Sequence, residues 1–354
     1  VGQYWPQMAG LGFDGTHIWA SSRTHDAVRK FDPATGQTLG TYEVGDSPDQ
    51  IVFDGTHIWV ANSGDGTLTK LVATSGELIG TYDVGRNPTN NYGAHYSGLV
   101  FDGTYLWVTN DNASSVSQLR AIDGSLVAVH RAGSGPSRIL FDGTHLWVTN
   151  RNLRKVSKIE PATGATVGSY DTGTNPLGMA YDGTHIWVVN NVSKTVSKIS
   201  ASNGALIGTY PTDTFDGHKP LDATFDGTHI WVTHSDDGGS RVTRIRAADG
   251  VTDGVFDVVE TDGGMVIGVR RSADPGFYYW RITQWIMPFF TMIPPYGDNA
   301  LNGHAWVPMD DQTCMAWCMT HHPTRPLSDA ELETMRTGGG IHVNLIPGTV
   351  RPVV

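Results

Sequence analysis

Hydrophobic and polar residues alternate with a period of two along most of residues 1–257. In one such segment, Leu146 and Val148 lie on one face of a predicted strand, and Trp147 lies on the other. These segments are rich in Val, Ile, Thr, Tyr and Trp, and Asp-Gly or Ala-Thr-Gly sequences separate them. The pattern is typical of β-strands joined by tight turns.

One phrase, Phe-Asp-Gly-Thr-His-Ile-Trp, recurs six times with small variations. Its copies begin at Phe13, Phe53, Phe101, Phe141, Tyr181 and Phe225, at spacings of 40, 48, 40, 40 and 44 residues. A repeat of this length that contains short strands indicates four-stranded propeller blades. Each blade has an apolar face that it buries only by stacking against its neighbours. The sequence therefore predicts an all-β fold with a six-bladed β-propeller over residues 1–257, or a seven-bladed one if the C-terminal segment supplies another blade.

The fourth copy shows the layout expected of every blade. Its predicted strands are Ser137–Phe141, His145–Asn150, Val156–Glu160 and Thr166–Tyr170. Asp142-Gly143 forms the first hairpin turn, since Gly tolerates positive φ and an Asp side chain can bond to nearby backbone N–H groups.

The repeats resemble those of YVTN-type β-propellers of bacterial surface and periplasmic proteins. The residues that carry the likeness are Trp107-Val-Thr-Asn110, Trp147-Val-Thr-Asn150 and Trp187-Val-Val-Asn190. The resemblance implies the fold and a periplasmic or extracellular location. It does not imply one activity, because such folds carry many unrelated functions.

Polar residues are expected to meet at the mouth of the central channel, in the connections between blades. This set comprises Asp49, Arg86, Asn87, Arg138, Asn175 and Lys219. It predicts a binding site for a small molecule or for a protein partner at the rim of the propeller. Such a set is also what an ordinary solvated rim contains, so both interpretations stay open.

The repeated histidines are interpreted as structural or solvent-facing residues. They are His17, His57, His145, His185 and His229. Each follows the same hairpin turn on a different blade, so together they would not surround one ion. The six repeated Trp residues are expected to pack between blades.

The sixth copy contains the spacing of the mononuclear iron motif of aromatic ring-hydroxylating oxygenases. Asp226, His229 and His234 carry this spacing. However, residues five apart in a strand point to opposite faces, and Asp226 and His229 belong to the repeated phrase. We therefore expect no cofactor, with non-haem iron at these three residues as the weaker alternative.

The repeat stops near Val258, and Pro, Met and aromatic residues become more frequent. Strands are predicted at Met265–Arg271, Tyr278–Met287, Phe289–Ile293, His304–Pro308 and Cys314–His321, and a helix begins near Ser328. The segment resembles part of the catalytic domain of Rieske-type aromatic ring-hydroxylating oxygenases, of the phthalate-dioxygenase-like branch. The residues that carry this likeness include Trp280-Arg-Ile-Thr-Gln-Trp285, Gly303-His-Ala-Trp-Val-Pro308 and His322-Pro-Thr-Arg-Pro-Leu327. Residues 258–354 are accordingly expected to form an α+β segment like part of a helix-grip sheet.

The metal ligands that this resemblance would require are not recognisable. Cys314 and Cys318, the only two cysteines, do not form the Cys-x-His and Cys-x2-His pair of the family's iron–sulfur cluster. The sequence therefore favours a non-catalytic binding or scaffold protein with an oxygenase-derived segment, joined to the propeller as a fusion. An oxygenase-related oxidoreductase subunit is one alternative, and a propeller hydrolase or lyase acting at the channel mouth is another.

Charge and hydropathy exclude some partners. The net charge of −11 argues against nucleic acid and against an anionic membrane surface. No apolar run is long enough to span a bilayer. Trp285, Phe289 and Phe290 are expected to need a covering surface, which predicts a possible homo-oligomer. The chain begins at Val1 without a recognisable signal peptide, and the oxygenase resemblance would imply the cytoplasm, so the compartment stays open.

Overall fold

The computed structural model describes residues 8–85, 98–212, 219–235 and 240–252 with their side chains, apart from that of residue 240. Beyond residue 252 it describes the backbone of strands as far as residue 321. The chain divides into two compact units. The first contains residues 1–237 and 242–253, and the second contains residues 238–241 and 254–354.

The first unit is a β-propeller of six antiparallel sheets. The strands of the first three blades are β1 Met8–Phe13, β2 Ile18–Ser22, β3 Ala27–Phe31, β4 Thr38–Glu43, β5 Pro48–Phe53, β6 His57–Asn62, β7 Thr67–Val72, β8 Leu78–Asp83, β9 Leu99–Phe101, β10 Tyr105–Asn110, β11 Ser115–Arg120 and β12 Leu126–Arg131. The strands of the last three blades are β13 Pro136–Phe141, β14 Leu146–Asn150, β15 Lys155–Glu160, β16 Ala165–Asp171, β17 Pro176–Tyr181, β18 His185–Asn190, β19 Thr195–Ser200, β20 Leu206–Pro211, β21 Lys219–Phe225, β22 His229–Ser235, β23 Ser240–Arg246 and the start of β24 Thr252–Thr261. The prediction of six blades is confirmed.

Each blade is a simple meander, with its strands paired in chain order. The first strands of successive blades lie against one another, from β1 to β5, β9, β13, β17 and β21. The first strands therefore line the axis, and the fourth strands lie outermost. In blade 4 the observed strands agree with those predicted to within one residue at each end.

The apolar core lies between neighbouring blades. In one core cluster, Trp147 and Val156 of blade 4 pack against Ile186, Val188 and Ile199 of blade 5. The repeated Trp is fully buried in the first five blades, which confirms the predicted packing role. Burial of each ring removes about 150–250 Å² from water, equivalent to about 4–6 kcal/mol before the entropy cost. Trp231 of the sixth blade is only partly buried.

The Asp of the repeated phrase organises each hairpin. In blade 4, one carboxylate oxygen of Asp142 accepts backbone N–H bonds from Thr144 and His145, at 2.8 and 2.7 Å. The other oxygen accepts the indole N–H of Trp147 at 2.7 Å. All six blades repeat the Asp–Trp bond, at 2.6–2.9 Å. The phrase is thus a local device that orients the buried Trp.

Buried lysines link neighbouring blades. Lys30, Lys70, Lys158 and Lys198 lie over the Trp of their own blade, 4.8–5.3 Å from the ring centroid. Each donates to a backbone carbonyl of the next blade, and the distances to the oxygens of Ala73, Ala121, Ala201 and Ala247 are 2.7–2.9 Å. Blade 3 has Gln118 at this position, which bonds His130 at 3.1 Å. Each link satisfies the buried ammonium and fixes the position of the adjoining turn.

The second unit contains antiparallel strands in chain order. After β24 these are β25 Gly264–Ser272, β26 Tyr278–Ile286, β27 Phe290–Ile293, β28 Leu301–Pro308 and β29 Cys314–His321. They overlap the five strands expected from the sequence. The helix expected near Ser328 lies outside the described residues, so the α+β assignment and the proposed oligomer contact stay predictions. Among the described residues, no helix is long and apolar enough to cross a membrane.

Candidate functional site

The residue three positions before the end of each first strand determines how the channel is lined. This position is Gly10, Gly98 and Gly178 in blades 1, 3 and 5, and Gln50, Arg138 and Asp222 in blades 2, 4 and 6. The glycines allow the first strand of each of these blades to lie close to the first strand of the next blade. A Cβ on Gly178 would lie 2.3 Å from Asp222 Oδ1, and one on Gly98 would lie 2.9 Å from the Cα of Arg138. Small and large residues therefore alternate around the axis.

Arg138 connects three blades that are not neighbours. Its Nη1 lies 3.4 Å from Asp49 Oδ2 of blade 2, and its Nε lies 3.8 Å from Asp222 Oδ2 of blade 6. Blades 2, 4 and 6 can meet in this way only near the propeller axis. We call Asp49, Arg138, Asp222 and Arg23 the axial cluster.

Asp49 is the buried centre of the axial cluster. Its side chain is 0% exposed, and its Oδ2 also accepts a bond from Arg23 Nη2 of blade 1 at 3.0 Å. Its Oδ1 has no hydrogen-bond partner among the described residues. Buried carboxylate oxygens ordinarily accept a hydrogen bond, so Asp49 Oδ1 is a candidate acceptor for one further donor.

The local sequence fixes the position of Asp49. Ser47 adopts a positive φ of 51°, and Pro48 begins the strand with its φ restricted. Ser21 Oγ donates to the backbone oxygen of Asp49 at 2.7 Å, which ties β5 to blade 1. Arg23 follows the end of β2 and reaches the same carboxylate from the neighbouring blade.

Asp222 is the accessible carboxylate of the axial cluster. Its side chain is 44% exposed and partly buried beside Arg138. This partial burial raises the pKa of the Asp222 carboxyl, Arg138 lowers it, and the Asp49 carboxylate raises it further. The result is a pKa above the usual value for Asp.

Further polar pairs lie on the same rim. Arg151 of blade 4 pairs with Asp111 of blade 3. Asn175 Nδ2 donates to Asn191 Oδ1 at 3.1 Å, and Asn191 in turn donates to Pro220 O at 2.9 Å. The described non-glycine residues with positive φ all lie in loops of this rim: Asp26, Ser47, Ser114, Arg154, Asn175 and Lys194. Strained backbone of this kind is often found near functional sites.

The structure brings together part of the set predicted from the sequence. Asp49 and Arg138 are in contact, but they and Lys219 lie in strands rather than in connecting loops. Lys219 is exposed, and Asn175 forms its own pair on the rim. Arg86 and Asn87 lie outside the described residues. Whether any of these residues binds a ligand stays a prediction.

Sequence reasoning missed Arg23 and Asp222. Alignment of the copies on their Phe-Asp-Gly phrase would have placed Asp222 at the position of Arg138. Arg23 directly follows the position that holds Asn in blades 2 to 5, and Arg151 is its counterpart in blade 4. The position of a residue within the repeat would therefore have indicated the axial cluster, whereas its location in a loop did not.

The residues of the iron-like spacing occupy ordinary repeat positions. Asp226 accepts the indole N–H of Trp231 at 2.6 Å, as its counterparts do. His234 is buried, and its Nε2 lies 2.8 Å from Thr243 Oγ1. In blades 2 to 5 an Asn side chain makes the corresponding bond to Ser or Thr. Within the part of the chain that the structure describes, no group of three or more His, Cys, Asp or Glu is placed to hold a metal ion.

Comparison with known proteins shows the fold. No family model matches the chain, and no curated protein sequence matches it. A streptogramin B lyase structure aligns with a TM-score of 0.58 at 19% identity, over 71% of this chain and 89% of that chain. A candidate 6-phosphogluconolactonase from Bacteroides uniformis gives 0.58 at 18% identity, over 73% and 85%. BamB from Moraxella catarrhalis gives 0.52 at 15% identity, over 75% and 82%. At these identities the likeness establishes a β-propeller fold that is shared by proteins of varied function.

Proposed function

We propose that this protein is a non-catalytic binding module that holds a small polar ligand at the axial mouth of its propeller. The observation that carries the proposal is the single Arg138 guanidinium that joins carboxylates from blades 2 and 6. It places fixed charges of both signs where six blades converge. Binding sites in such scaffolds need few polar groups, provided that these groups are held rigidly.

The accessible members of the axial cluster indicate the ligand chemistry. Asp222 offers a carboxylate that is 44% exposed, and Arg23 offers a guanidinium that is 31% exposed. Asp49 and Arg138 lie behind them and hold them in place. A ligand with both a cationic donor and an anionic acceptor, such as a free amino acid or a peptide terminus, complements this pair.

The proposal is tested by calorimetric titration with glycine, glycylglycine and L-glutamate. We expect at least one of these probes to bind saturably, and Asp222→Asn to weaken its binding about tenfold, because a charged hydrogen bond is lost. Asp171→Asn is the control, since Asp171 lies in the outer strand β16 with its side chain 83% exposed. Absence of saturable binding, or equal binding by Asp222→Asn, would contradict the proposal.

A hydrolase or lyase at the same mouth is the second candidate. The raised pKa of Asp222, next to Arg138, favours a carboxyl that could act as a general acid. Two of the structural neighbours are named as a lyase and as a candidate lactonase. Turnover of the lactone dihydrocoumarin that disappears in Asp222→Asn would favour this candidate over the first.

The C-terminal segment is proposed to lack iron chemistry. No family model supports its resemblance to Rieske-type oxygenases, and its side chains lie outside those described. We expect metal analysis of the purified chain to find iron far below one equivalent. Iron near one equivalent would instead favour the oxygenase-related alternative, and its loss in His234→Asn but not in His17→Tyr would assign it to the iron-like spacing of the sixth blade.

A further inference from the structure

A cavity lies between blades 4 and 5, at the rim formed by the repeated Asp-Gly-Thr-His turns. Its volume is about 450 Å³, within the range of small-molecule sites. Blade 4 contributes the turn around His145 together with Lys158. Blade 5 contributes Tyr181, the turn around His185, and the segment from Ser200 to Ser202. We call this cavity the blade 4/5 groove.

Three residues distinguish the blade 4/5 groove from the corresponding sites. The first is Tyr181, where the other five copies have Phe. The position of Ser200 is occupied in the other blades by Asp32, Val72, Arg120, Glu160 and Arg246. The position of Ser202 is occupied by Ala34, Thr74, Ile122, Ala162 and Ala248. Only blade 5 carries hydroxyl groups at all three positions.

The hydroxyl groups are arranged for further hydrogen bonds. Tyr181 donates its O–H to the carbonyl of Gly183 at 2.7 Å, which leaves its oxygen as an acceptor. The Oγ atoms of Ser200 and Ser202 lie 3.0 Å apart. The His145 and His185 side chains keep 23% and 26% of their surface exposed, while His145 Nε2 lies 3.8 Å from Glu160 Oε2 and His185 Nδ1 lies 3.2 Å from Asp182 Oδ2. A hydroxyl group can both donate and accept a hydrogen bond.

The fixed charges at the groove are already hydrogen-bonded. Asp142 accepts from the Trp147 indole and from two backbone N–H groups. Lys158 donates to Ala201 O at 2.7 Å and lies 5.2 Å from the centroid of Trp147. Apart from these paired charges, the groove presents hydroxyl groups that can donate and accept, together with the aromatic side chain of Tyr181.

We propose that the blade 4/5 groove binds a neutral polyhydroxylated ligand, a single sugar unit. Each sugar hydroxyl both donates and accepts, which matches the paired roles of the Ser and Tyr hydroxyl groups. A neutral sugar has no charged group, so its binding does not require Asp142 or Lys158 to give up the hydrogen bonds described above. This site is separate from the axial cluster, and it does not depend on the function proposed above.

The experiment is a titration of the full chain with D-glucose, D-galactose and N-acetyl-D-glucosamine, followed by NMR. We expect at least one sugar to bind saturably. Ser202→Ile should weaken this binding about tenfold, because it removes the hydroxyl that lies 3.0 Å from Ser200 Oγ and adds an apolar side chain at the edge of the groove. Blade 3 carries Ile122 at the same position with 84% of its surface exposed, so the substitution suits the fold. Tyr181→Phe, which restores the residue of the other copies, should weaken binding about threefold to tenfold.

Matched controls separate the groove from the rest of the molecule. Thr74→Ile places the same side chain at the equivalent position of blade 2 and should leave sugar binding unchanged. Asp222→Asn at the axis should also leave it unchanged. No saturable binding by the unmodified protein, or an equal loss in Thr74→Ile, would overturn the proposal.

Discussion

At the residue scale, the Asp of the repeated phrase determines how the hairpins of blades 2 and 5 respond to acid. Burial raises the pKa of Asp182, but bonds from Trp187 and from backbone N–H groups outweigh it and lower the pKa to about 2. The pKa of Asp54 is also lowered, although burial opposes the shift there too. A folded pKa below the unfolded value near 3.8 stabilises the fold above that pH. The stabilisation is then lost as the pH falls towards 2.

Asp182→Asn tests this role. At neutral pH we expect a loss of about 1–3 kcal/mol, because the Asn amide would turn a donor towards the indole N–H or leave a turn N–H unbonded. The difference from the unmodified protein should shrink between pH 4 and about 2, as the native carboxylate itself is protonated. Urea unfolding measured across this range checks both parts. Asp171→Asn, at an exposed position, should show neither effect.

At the element scale, neighbouring blades interlock through an aromatic ring and a glycine. Tyr170 of the outer strand β16 in blade 4 stacks 5.7 Å from the centroid of Trp147. The turn of blade 5 meets this ring at Gly204, where an added Cβ would lie 1.8 Å from Tyr170 Cε1. The same arrangement recurs with Tyr42 and Gly76, and with Tyr210 and Gly250. In these blades the glycine of the turn between the third and fourth strands is therefore also required by the adjacent blade.

A comparison of two Gly→Ala variants separates packing from backbone strain. Gly204 and Gly183 both have positive φ, at 74° and 93°, so each variant should lose about 1–2 kcal/mol. A Cβ on Gly183 meets nothing within 4 Å, whereas one on Gly204 collides with Tyr170. Gly204→Ala should therefore cost about 1–3 kcal/mol more in the free energy of unfolding. Equal losses in the two variants would show that the stability of the propeller does not depend on the packing of Tyr170 against Gly204.

At the scale of the whole molecule, the axial cluster connects blades that are far apart in sequence. Arg138 and Arg23 both contact the fully buried carboxylate of Asp49. Removal of one partner of a buried ion pair leaves a charge poorly compensated. The stability of the ring should therefore depend on this cluster more than on any exposed ion pair.

A double-mutant cycle measures that dependence. Arg138→Met should destabilise the propeller by about 2–3 kcal/mol. This loss is smaller than that expected when a buried carboxylate loses its whole partner, because Arg23 still contacts Asp49. Asp49→Asn combined with Arg138→Met should recover part of this loss, because the buried charge is then gone. Chemical unfolding of the two single variants and the double variant gives the coupling energy. Strict additivity would mean that the two side chains do not interact.

The repeat unit could be predicted from the sequence because local interactions along the chain determine it. Strand alternation, the Asp-Gly turn and the spacing of the copies each depend on a few adjacent residues, and they predicted six blades and their strands. The sequence also indicated that Asp226 and His234 occupy repeat positions, and the structure gives them the same contacts as their counterparts in other blades. Asp49 and Arg138 were among the residues expected at the rim, and the structure places them in contact within strands, while their role in binding stays a prediction.

Only the tertiary structure decided which blades are joined by side-chain contacts at the axis. The contact of Arg138 with Asp49 spans 89 residues and depends on ring closure, which no local pattern encodes. The blade 4/5 groove likewise arises from small side chains of one blade that face the turn of another. Local geometry is set by steric and hydrogen-bonding preferences along the chain. The two candidate sites instead depend on which positions the closed ring brings together.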